Sequence, residues 1–117
     1  MNRHLRGGAA ALLSLATLAG CASQPKPLYH WNAYQEQVYQ RFKNEHSAQQ
    51  QIDALEASLQ KARAQDATPA PGFHAHLGML YAEVGKADQV RQQFETEKTL
   101  FPESAAYMDF LLRNLEK

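Results

Sequence analysis

The chain has 117 residues, enough for one domain. Its 12 Lys and Arg balance its 12 Asp and Glu, which argues against a nucleic-acid surface or a polybasic membrane patch. Arg3 and Arg6 fall in an amino-terminal leader, so the remainder carries 12 − 2 = 10 basic against 12 acidic residues and is mildly acidic.

Residues 1–20 read as a bacterial export signal peptide. Arg3, His4 and Arg6 make a positive start, and Ala9 through Ala19 form an apolar run too short to span a bilayer as a stable helix. The run closes on Leu18-Ala19-Gly20-Cys21, small residues before a cysteine, which is what a lipoprotein signal peptidase accepts. The alternative is an ordinary secretory signal with a chance cysteine. Cys21 is the only cysteine in the chain, so it has no disulfide partner there, and this favours lipidation. Two or three acyl chains on Cys21 would make a permanent anchor, at about 0.8 kcal/mol per buried methylene. Ala22 after the cysteine favours, by resemblance to sorted lipoproteins, the periplasmic face of the outer membrane.

Residues 21–31 follow as a lipidated cysteine and short extended tether, with Pro25 and Pro27 disfavouring helix. Leu28, Tyr29 and Trp31 stand where the tether meets the fold. They either cap the first helices or touch lipid headgroups, and the amphipathic rings favour packing.

Residues 32–117 are expected to be all-α, built of antiparallel helical hairpins. The first helix runs Asn32–Lys43, with Tyr34, Val38, Tyr39 and Phe42 at helical spacing. Ser47 with Gln50 three residues later is a capping-box start for a helix over about Ala48–Ala64, whose inward stripe is Ile52, Leu55, Leu59 and Ala62. Ala67–Gly72 is a breaker-rich linker. From Gly72 to Pro102 the pattern is helix, tight turn at Gly85, helix, proline stop. Leu77, Tyr81 and Val84 share one stripe, and Val90, Phe94 and Phe101 come from the second helix. A last helix spans about Ser104–Asn114, carrying Met108, Leu111 and Leu112. The expected core is Val38, Phe42, Leu55, Leu59, Leu77, Tyr81, Val90, Phe94, Leu111 and Leu112.

The spacing Leu77-Gly78, Tyr81, Gly85, Phe94 and Pro102 resembles the tetratricopeptide repeat, a helical hairpin with a period of about 34 residues. Glu97 departs from that pattern, because the family usually has a small residue at this close helix contact. Val38, Tyr39 and Phe42 align with Leu77, Gly78 and Tyr81 at a shift of 39, and Leu55, Leu59 and Ala62 with Val90, Phe94 and Glu97 at 35. Met108, Leu111, Leu112 and Leu115 lie 34 beyond His74, Leu77, Gly78 and Tyr81. This makes about two and a half repeats, the last half covering an exposed apolar face; the competing explanation is that any two amphipathic helices align this way.

The stretches Pro27-Leu28-Tyr29, Trp31, Tyr34, Pro71 through Gly78, Phe94 through Lys98 and Leu100 through Ser104 resemble a family of small proteobacterial lipoproteins. Its domain, DUF4810, is of unknown function. The resemblance implies an envelope lipoprotein, found beside a lipoprotein similar to the curli-secretion channel and a second small lipoprotein, and it supplies no catalytic residues.

No residue pattern points to chemistry. His74 and His76, two apart on a helix, point about 200° away from each other and cannot share an ion from one face; a metal would need His30 or a carboxylate brought in by folding. There is no Gly-x-Ser-x-Gly and no phosphate loop. No enzyme, cofactor, metal, small-molecule substrate or nucleic acid is expected. Two function classes remain: a module that holds other envelope proteins, and a structural or cell-wall-associated periplasmic lipoprotein. For the first, the resemblance to tetratricopeptide domains implies a groove along Ala75, Met79, Ala82 and Glu83, opposite the inward stripe. Small alanines would admit a partner backbone, Met79 would adapt to it, and Glu83 would select a basic group. The alternative occupant of that groove is the chain's own Tyr29–Trp31 segment.

Overall fold

A computed structural model describes residues 25–115. The expected signal peptide and Cys21 lie outside the described residues. Among the described residues five α-helices follow in order: α1 Asn32–Lys43, α2 Ala48–Ala64, α3 Phe73–Glu83, α4 Ala87–Leu100 and α5 Ala105–Leu115, the last entered through a 3-10 turn at Pro102–Ser104. There is no strand among the described residues, only an isolated bridge between His30 and Pro69. α1–α2 and α3–α4 are helical hairpins, and α5 packs on α4.

Local signals account for the boundaries. Asn44 takes the left-handed conformation that ends α1; its N–H donates to the Arg41 carbonyl at 3.1 Å, and the N–H of Glu45 to the Gln40 carbonyl at 3.3 Å. At α2 both arms of the capping box form: Gln50 N donates to Ser47 Oγ at 3.3 Å, and Ser47 N donates to Gln50 Oε1 at 2.9 Å. α3 begins after Gly72 at φ +88°, a conformation that strains any residue with a Cβ. That glycine has no side chain to cap the helix, and the cap arrives instead from α4.

The core runs between the hairpins. Ile52, Leu55, Leu59, Phe73, Leu77, Leu80, Tyr81, Val90, Phe94 and Met108 form one buried cluster. Phe73 and Leu80 were not expected in it. Phe73 opens α3 and meets the Tyr34 ring at 5.8 Å. Of the expected core residues, Val38 is half-buried, as are Leu111 and Leu112, which pack on the cluster from the last helix.

Phe42 is a correction: it is 85% exposed. The residues of α1 that are buried or half-buried are Ala33, Tyr34, Gln37, Val38, Gln40 and Arg41. They map onto Phe73, His74, Leu77, Gly78, Leu80 and Tyr81, all buried, at a shift of 40 (34 to 74, 37 to 77). The shift of 39 is therefore one residue out. Three of the six inward positions of α1 are the polar Gln37, Gln40 and Arg41, so apolarity alone finds Tyr34 and Val38 but misplaces Phe42.

Candidate partner-docking groove

The most extensive helix–helix packing is between α3 and α4. A Cβ on Gly78 would stand 2.5 Å from the Phe94 ring, so only glycine permits this approach. Beside it, the buried His74 Nδ1 and Gln93 Oε1 are 2.6 Å apart. One turn along α4, Glu97 is 2% exposed. Its carboxylate accepts from the backbone N–H of Gly72 at 2.6 Å, His74 at 3.1 Å and Ala75 at 3.3 Å. The residue that breaks the repeat pattern is thus the N-cap of α3. It satisfies donors that the helix itself cannot, and it sets a negative charge at the positive end of the helix dipole. The same carboxylate, after burial itself, raises the Tyr34 phenol above its usual pKa.

This clamp fixes α3 and with it one open face of the molecule. Between α1 and α3 a groove of about 630 Å³ is lined by Val38, Arg41, Phe42, His76, Met79 and Glu83, with the α1–α2 turn closing one side. Between α3 and α5 an apolar groove of about 310 Å³ is lined by Met79, Ala82, Glu83, Leu111 and Leu115. The two sections share Met79, which is 41% exposed, and Glu83.

The corrected register adds two residues to this face. A shift of 40 places Tyr39 and Phe42 of α1 at the positions of Met79 and Ala82 on α3. Both aromatics are exposed, and Phe42 lines the groove directly. Lys43 lies over the Tyr39 ring at 5.1 Å.

The expected groove residues divide. Met79 and Ala82 line it. Ala75 does not: it sits at the start of α3, half-buried against the core, with its N–H given to Glu97. Glu83 lines it, but its carboxylate forms an ion pair with Arg41 across the groove. Its charge is therefore already matched, in an exposed pair worth less than about 1 kcal/mol. His76 is half-buried at the floor, its edge on Tyr34 at 6.0 Å. Burial lowers its pKa, Arg41 lowers it further, and Glu83 opposes both.

The Tyr29–Trp31 segment does not fill the groove. His30 N donates to the Thr68 carbonyl at 2.7 Å, Tyr29 meets Phe101 edge-on at 5.7 Å, and Trp31 stacks on Tyr34 at 6.2 Å, all at the end where α3 begins. No group of three or more His, Cys, Asp or Glu able to hold a metal exists among the described residues, and none of their helices is long and apolar enough to cross a membrane.

The family model of the domain of unknown function DUF4810 matches residues 28–111. No curated protein and no solved structure matches the chain. The match runs from the tether through most of α5 and takes in the Glu97 clamp and the open face alike, so the chain belongs to the DUF4810 family.

Proposed function

We propose that this protein is an outer-membrane lipoprotein, anchored through Cys21, whose helical-repeat domain holds another envelope protein in the groove of α1, α3 and α5 and catalyses no reaction. The observation that carries the reading is the line of solvent-facing apolar side chains on that face: Tyr39 and Phe42, Met79, and Leu115. Their exposure costs free energy in the isolated chain, and covering them with a partner recovers it. The face suits an apolar helix or extended segment of an envelope protein, with the Arg41–Glu83 pair free to re-form with partner charges at small cost. A purely structural or cell-wall spacer has no use for such a face.

The test is site-specific photocrosslinking in native membranes. Crosslinkers at Phe42 and Met79 are expected to capture one and the same protein, and a crosslinker at the exposed Gln60 of α2 is expected not to. Met79→Glu should leave the circular dichroism spectrum intact and remove both crosslinks. Equal capture from Gln60, or crosslinks that survive Met79→Glu, would overturn the groove as the docking site.

A further inference from the structure

A second set of exposed apolar side chains lies at a different place, the end of the domain where the chain enters the fold. α1 and α3 start here, α4 finishes here, and α5 begins again after the turn at Pro102. The segments are tied together by the His30–Thr68 hydrogen bond, the Tyr29–Phe101 contact and the bond from Ser104 Oγ to the Phe101 carbonyl. On this end Leu28 is 78% exposed and Trp31 42%. Leu100 and Tyr107 are exposed too, and Tyr107 stacks on the exposed Phe110. None of them lines the groove.

We propose that this end rests on the lipid headgroups of the membrane, with Leu28, Trp31, Leu100 and Tyr107 as its contact residues. The proposal rests on the lipid anchor at Cys21. Six residues lie between Cys21 and Leu28, and the seven steps from one to the other, fully extended, reach only about 25 Å. The anchor therefore keeps this end close to the bilayer. The chemistry matches that position: tryptophan and tyrosine combine an apolar body with a polar edge and settle at the boundary of hydrocarbon and water. The charged groups around them, Lys26, Arg63, Asp66 and Glu103, are exposed and balanced in sign, which fits a mixed phospholipid surface without a polyanionic requirement. Docked this way, the domain points its helices away from the membrane and leaves the groove open to the periplasm.

Trp31 is the only tryptophan in the chain and reports on the contact directly. The acylated protein is reconstituted into phosphatidylethanolamine–phosphatidylglycerol vesicles, with and without brominated acyl chains. Its fluorescence is compared, together with quenching by aqueous iodide. The expected result is loss of at least half the Trp31 emission to the brominated lipid and weak quenching by iodide. Leu28→Glu with Tyr107→Glu, both exposed positions, should keep the protein floating with the vesicles and restore most of the emission. A protein that floats while Trp31 is quenched by iodide and not by bromine overturns the contact and leaves the anchor standing. Failure to float at all overturns both. Shielding of Trp31 from both quenchers would mean that a second copy covers this end, and quenching unchanged in the double variant would assign it to other residues; either overturns the proposal.

Discussion

In the α3–α4 hairpin the facing surfaces close on Gly78, and Phe94, His74–Gln93 and the Glu97 cap fill the space with satisfied partners. In α1–α2 the inward surfaces carry Gln37, Gln40, Gln51 and Ser58, each with a buried oxygen that has no hydrogen-bond partner. On α3 and α4 only His76 has such an atom. Two hairpins with one topology thus hold together differently, the second by close packing and the first by a looser, partly polar contact. The looseness has a consequence for function. With glutamine and arginine turned inward, the aromatics Tyr39 and Phe42 are left for the open face. A hairpin optimised for stability would have buried them.

Two phenylalanines break or confirm this contrast most sharply. Phe94→Ala removes a side chain that is 1% exposed and should cost about 3–5 kcal/mol, against a total stability of about 5–15 kcal/mol for a small domain. Phe42→Ala should change stability by less than about 0.5 kcal/mol and weaken partner capture. Denaturant titration of both variants separates the assignments, and equal losses would refute the register of α1 described above.

Next comes the clamp. Glu97→Ala leaves the N–H groups of Gly72, His74 and Ala75 without their acceptor, two of them in a part-buried setting. A loss of about 2–3 kcal/mol is expected, in line with buried donors left unpaired. Glu97→Gln keeps one acceptor oxygen and should lose less. Hydrogen exchange at the first turn of α3 should accelerate in the alanine variant before any other segment.

The polar interior of the first hairpin gives a gain in place of a loss. Gln37→Leu removes a buried oxygen without a partner and should raise stability by about 1 kcal/mol. A melting temperature lower than wild type would show that Gln37 holds an interaction essential to α1.

The smallest expected effect is on pH. Burial, then Arg41, lowers the His76 pKa below the usual value of 6.5, with Glu83 opposing. Between the folded and unfolded values the unfolded chain binds more protons. Stability is then full above about pH 6.5 and falls as the pH drops through the lower folded value. Melting temperatures between pH 7.5 and 5 should show a shallow decline that His76→Gln flattens.

Much of the fold was legible in the residues. The capping pair Ser47–Gln50, the turn at Gly85, the stop at Pro102 and the stripes of Leu55–Leu59 and Val90–Phe94 are local or strictly periodic, and the helices stand where these signals put them. Periodicity failed in α1, where the polar Gln37, Gln40 and Arg41 hold inward positions and no apolar count distinguishes the two faces. The candidate groove was legible in part. Met79 and Ala82 follow from the helical stripe, whereas Phe42 follows only from the register that tertiary packing selects.

By itself the sequence determined five helices, their order and their hairpin pairing, because caps, breakers and apolar spacing act over a few residues. Tertiary structure decided the rest. It turned Glu97 from a flaw in the repeat into the cap of α3, since the groups it serves are more than 20 residues away in the chain. It also set Glu83 against Arg41 and exposed Phe42, because the partner of a charge and the face of a mixed helix depend on which element packs beside it.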